Sequence, residues 1–144
     1  MDPLSVAASI IAVVGAARSI GKAISKLKIL SDASGELYAL HNEISDIQMV
    51  FRSASDLIEI EGCRIPPTHA KDLITLSQRA KSKLLEIESL IPCQLNDPQG
   101  SDSGTQVKVA RLKWLVGRHR VQSLQEELRS LRSTFTAKLT AIAT

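Results

Sequence analysis

Aromatic side chains are scarce in this sequence: Tyr38, Phe51, Trp114 and Phe135 are the only four among 144 residues. A core must then be built from Leu, Ile, Val and Ala, which suits packed helices. Sandwiches and barrels draw more on aromatic and Thr-rich strands, and no stretch here alternates apolar and polar residues as a half-buried strand does. Cysteine is scarce too. Cys63 and Cys93 are too few for a disulfide scaffold. They flank a predicted helix over 68–91, about 36 Å long at 1.5 Å per residue, which holds the sulfurs far beyond bridging distance. A reducing, cytoplasmic setting is the expectation.

The residues that carry chemistry are equally sparse. His41, His69 and His119 fall in three separate segments, none with a Cys or carboxylate at metal-ligand spacing. The stretch "VVGAARSIGK" has two glycines and a lysine but not the order of a phosphate-binding loop, and no strand precedes it. No nucleophile elbow is present. The sequence therefore predicts no enzyme: no catalytic residue, no metal site, no cofactor and no small-molecule substrate. The basic run "KVARLKWLVGRHR" would suit phosphates, but a single Trp is no stacking platform and no helix-turn-helix spacing accompanies it. No nucleic-acid partner is expected. Trp114, seven residues before Val121, reads as a core anchor.

What is abundant is helical periodicity. Asp2-Pro3 reads as a helix start, with Asp as cap and Pro at the first helical position. Val6, Ile10, Val13, Ala17, Ile20, Ile24 and Leu27 then recur at spacings of three and four, predicting a helix over 3–30. A second, over 33–60 with Ser31, Asp32 or Ser34 as cap, carries Leu37, Leu40, Ile44, Ile47, Phe51, Ala54 and Ile58, with Glu43 among the acids of its outer surface. The third carries Leu73, Leu76, Ala80, Leu84, Ile87 and Ile91 before Pro92. The fourth, over 107–143, carries Val121, Leu124, Leu128, Leu131, Phe135, Leu139 and Ile142, with Gly117 as a possible bend. Residues 92–106, "PCQLNDPQGSDSGTQ", are polar and aperiodic and read as one mobile loop. One narrow stripe per helix is what a bundle buries. The expected fold is all-α: a single-domain antiparallel four-helix bundle.

Charge is blocked along the chain. Residues 1–30 carry +3, residues 31–106 carry −6 and residues 107–144 carry +6. Terminal and central helices lying side by side would neutralise one another. The first helix has an additional feature. It carries no charge between Asp2 and Arg18, yet about fifteen apolar residues are short for a membrane span. The basic residues also follow the run, unlike those of a signal peptide, so the segment reads as retained. Opposite its core stripe lies a second face, Leu4, Ala8, Ile11 and Gly15 widened by Ala7 and Val14, which continues as Arg18, Lys22 and Lys26. Ala8, Ala12 and Ala16 form a small-residue ladder, as do Ala17, Gly21 and Ser25. A helix apolar all round is either buried on all sides or has another partner. Both readings stand at this level: a central rod wrapped by the other helices, or a functional apolar face.

The stretches "MDPLSVAASIIAVVGAA", "LYALHNEISDIQMVF" and "RLKWL…RVQSLQEELRSLRSTF", in that order and spanning nearly the whole chain, resemble the HeLo-like N-terminal domain of fungal NLR and related STAND proteins. The resemblance implies a helical bundle placed ahead of a nucleotide-binding switch domain and repeats. It also implies a role in programmed cell death through membrane targeting by the first helix. The expected partners are anionic membrane lipids, with recruitment to the plasma membrane on activation, and further copies of the chain. The alternative is a helical adaptor that binds itself or partner helices without membrane activity.

Overall fold

The computed structural model describes the backbone of residues 3–30, 35–61, 65–91 and 103–143, and their side chains except at 3–4, 26–30, 36, 61, 103–116, 118 and 143. Four helices account for nearly all of it: α1 (Pro3–Leu30), α2 (Gly35–Glu61), α3 (Pro67–Leu90) and α4 (Ser103–Ala143). The described residues contain no strand. The protein is an all-α four-helix bundle.

Prolines set the limits of α3. Pro66 holds φ −59° and ψ 144°, with Pro67 at the start of the helix. The first turn closes by the Ala70 N–H donating to the Pro66 carbonyl at 3.0 Å. At the far end Ile91 turns extended, φ −81° and ψ 130°, the conformation favoured before a proline. Its N–H still donates to the carbonyls of Ile87 and Glu88.

Two boundary expectations are corrected in α4. It begins at Ser103, so residues 103–106 belong to the helix and not to a loop; residues 92–102 lie outside the described residues. It also runs unbroken through Gly117. Once nucleated on the apolar turns downstream, a helix gains one hydrogen bond per added residue, which carries it back through poor formers. Gly117 is half-buried opposite Leu90, where even a Cβ would find ordinary contact at 3.7 Å.

The helices form a ring in the order α1–α2–α4–α3. Directions follow from cross-helix pairs. Lys138 meets Asp72 and Arg120 meets Glu86, so α3 and α4 are antiparallel. Glu43 meets Arg132 and Phe51 meets Phe135, so the neighbours α2 and α4 run the same way. Arg18 and Ser25 of α1 border the same groove as Gln48 and His41 of α2. Consecutive helices alternate in direction, and α2 and α3 lie diagonally opposite one another.

The core consists of the foreseen stripes. Val6, Ile10, Val13, Ala17, Ile20 and Ile24 are fully buried, with Leu37, Leu40, Ile44, Ile47, Phe51, Ala54 and Ile58 against them. Leu73, Leu76, Ala80, Leu84, Ile87 and Ile91 are buried from α3, as are Val121, Leu124, Leu128 and Phe135 from α4, while Leu131, Leu139 and Ile142 are half-buried at its edge. Trp114, both cysteines, Leu27 and the expected caps before α1 and α2 lie outside the described side chains. Two buried polar groups were not foreseen. Ser77 sits among the α3 stripe with its hydroxyl donating to the Leu73 carbonyl at 2.7 Å. Glu43, expected on the acidic outer surface, is only 4% exposed. Its carboxylate faces α4, where Arg132 Nε donates to Oε1 at 3.0 Å and Arg129 Nε approaches Oε2 at 3.5 Å.

Candidate functional face

The ring places α1 at a corner, packed against α2 and α3 and diagonal to α4. It is therefore buried along one stripe and open along the other, which removes the reading of a central rod wrapped by three helices. Ile11 is 58% exposed. Ala8, Gly15, Arg18 and Lys22 share the open side with it. Val14 departs from expectation. It follows Val13 by one residue, about 100° round the helix, and that turn leaves it half-buried and packed against the core. The side chains of Leu4 and Lys26 lie outside the described residues. Of the small ladders, Ala17 is core, Ala16 packs against it, Ala12 and Gly21 are half-buried, and Ala8 and Ser25 are exposed. Neither ladder forms one continuous seam.

Charge separates α1 from α4. Basic residues of α4 whose side chains are described meet acids of the central helices: Arg120 with Glu86 at 2.7 Å, Lys138 with Asp72 at 2.8 Å, and Arg132 with Glu43. One pair runs in reverse, from Lys83 to Glu127 at 3.0 Å. The complementary-charge expectation holds on this side. The Lys138 ammonium, by its hydrogen bond and its charge, holds the Asp72 carboxyl below its ordinary value of 3.8. Arg18 and Lys22 have no acidic partner among the described residues.

No family model, curated protein or solved structure matches the chain. By length and composition Ser5–Ser25, 21 residues with a mean hydropathy of 1.5, could cross a membrane, although its uncharged part still ends before Arg18. The run gains that length by continuing past Arg18 and Lys22 through Ile20, Gly21, Ala23 and Ile24. The core helix of a water-soluble bundle passes the same test. Like α2 and α3, α1 encloses a single stripe, 28% of the span.

The described residues hold no cluster of three or more His, Cys, Asp or Glu groups able to bind a metal ion. Sequence reasoning overlooked the outer line of α2. Tyr38, Met49 and Ile60 are large and exposed, and at spacings of eleven they fall on one side of the helix, three turns apart. Polar residues between them hide the pattern from a search for periods of three and four.

Proposed function

We propose that this chain is the N-terminal effector domain of an NLR-type immune or incompatibility receptor of the HeLo-like kind. It would act in programmed cell death by targeting anionic membranes through α1 after oligomerisation. The sequence resemblance motivates the class. The single observation that supports the mechanism is the open side of α1, where exposed Ile11 is followed by Arg18 and Lys22, cations with no acidic partner among the described residues. Apolar residues on such a side enter the acyl boundary and cations meet the headgroups. Two charges within the span make an interfacial position more favourable than a crossing one for a single copy. Several copies acting together supply the remaining binding energy, and the switch domain of a longer chain would bring them together.

The test is flotation of the chain, clustered by a fused chemical dimeriser, with phosphatidylserine-containing liposomes. Ile11→Glu and the pair Arg18→Glu with Lys22→Glu change exposed positions, so circular dichroism should stay native. Both should weaken liposome binding, and only the charge pair should flatten its salt dependence. Undiminished binding by both variants would sink the mechanism.

The adaptor reading has its own supporting observation, the exposed Tyr38, Met49 and Ile60 along α2. On that reading Met49→Glu breaks self-association measured by sedimentation, while Ile11→Glu does not.

A further inference from the structure

Between α1 and α2 lies a groove of about 380 Å³ to which the membrane reading gives no role. Arg18, Lys22 and Ser25 line its α1 side, with Gly21 between the two cations in sequence, and Ile44, Ser45 and Gln48 line it from α2. Arg18 and Lys22 are four residues apart, hence about 6 Å along one side of the helix. No acidic residue lines the groove among the described residues. His41 also borders it.

We propose that this groove binds the phosphate monoester of a small phosphorylated ligand. Two cations match the charge of a dianion. A guanidinium offers paired donors to two phosphate oxygens, and the ammonium, the Ser45 hydroxyl and the Gln48 amide can serve the rest. The volume exceeds that of one phosphate and falls within the range of small-ligand sites, leaving room for the organic part of the ester. Gly21 adds no side chain to the α1 side of the groove, and a Cβ there would meet no atom within 4 Å. The site belongs to the resting bundle and does not depend on membrane activity.

The ester can come from a soluble metabolite or from a lipid headgroup, and the experiment separates them. The 15N-labelled 144-residue chain is titrated with glycerol 3-phosphate and with dimethyl phosphate at matched ionic strength. The monoester should give saturable amide shifts within 18–25 and 41–48, and bind at least about tenfold more tightly than the diester, in line with the strength of charge-assisted hydrogen bonds. Gly21→Leu fills the groove without changing charge and should weaken binding by a similar factor; Ser45→Ala should weaken it about threefold. Equal affinity of Gly21→Leu and wild type, or shifts spread over the basic surface of α4, overturns the site. Should Gly21→Leu fail to fold, Arg18→Gln with Lys22→Gln decides, because both positions are exposed: undiminished binding overturns it. Vesicles of phosphatidic acid or of phosphatidylserine in phosphatidylcholine form the second arm. Preference for phosphatidic acid, lost in Gly21→Leu, supports the site with a lipid ester. Binding of glycerol 3-phosphate without that preference supports it with a soluble one. Absence of binding in both arms overturns it. The membrane reading fails separately, through Ile11→Glu, which leaves the groove untouched.

Discussion

Glu43 of α2 and Arg132 of α4 form a hydrogen-bonded ion pair, Nε to Oε1 at 3.0 Å, with the carboxylate 4% exposed. A carboxylate so enclosed is stable only while its donors remain. The bland view of this pair is one more surface contact. The burial on the Glu43 side separates it from Lys138–Asp72, where both groups keep substantial access to water.

Arg132→Ala should therefore destabilise by about 2 kcal/mol in urea unfolding, because Arg129 alone cannot satisfy the buried charge. Adding Glu43→Leu to it should restore most of that loss. A double mutant no more stable than Arg132→Ala would mean that packing, and not the orphaned charge, carries the penalty.

Phe51 and Phe135 stack with centroids 4.0 Å apart and 18° between ring planes, and both are buried. Phe135→Ala should cost about 3–5 kcal/mol, the usual range for a core aromatic. Leu128→Ala, also fully buried, should cost about 2–5 kcal/mol. A loss under about half a kcal/mol at either site, against those ranges, would place the core face of α4 wrongly.

Asp72 gives a pH signature. Its carboxyl is held below the ordinary value by Lys138, so the folded state binds its proton less readily than the unfolded chain. The stabilisation is complete above the unfolded value and disappears as pH falls through the folded one. Wild type should melt above Asp72→Asn at pH 7, and the gap should close on acidification below about pH 4, where carboxylates titrate. A gap unchanged across that range would show that the hydrogen bond persists with the acid neutral.

Gly15 and Gly21 lie in the interior of α1 with no atom within 4 Å of an added Cβ. Gly15→Ala and Gly21→Ala should each raise stability by about 0.5–1 kcal/mol through the lower backbone entropy of the unfolded chain. Thermal melts followed at 222 nm read this directly. A lowered melting temperature for either would reveal a contact that α1 makes outside its core stripe.

The buried stripes were legible because the spacing of Val6, Ile10 and Val13, or of Leu124 and Leu128, is a property of one helix at a time. Relations between helices were not. Nothing within "HNEISDIQ" distinguishes Glu43 from the exposed acids near it; its burial depends on α4 being the neighbour, and the ring order has no sequence signal. The Phe51–Phe135 stack is of the same kind: each ring was placed on a stripe, but their meeting required α2 and α4 to run in parallel. On the open side of α1, Ile11, Arg18 and Lys22 were legible by angular position. Val14 was not, since a position midway round the helix is settled by how closely α2 and α3 approach. The groove over Gly21 needs two helices to exist and could not be read from one.

The ring order also decides which property of the surroundings acts on which corner of the bundle. The seams of α4 are stitched by ion pairs to Glu43, Asp72 and Glu86. Those of α1 carry no ion pair among the described residues and bury Val6, Ile10, Val13 and Ile20. Ionic strength screens the first kind of seam and leaves the second nearly untouched. A hydrocarbon phase does the reverse: it matches the interior that α1 faces and offers nothing to an arginine. Opposite corners of one small bundle thus answer to independent variables, dissolved salt at α4 and an adjacent apolar phase at α1.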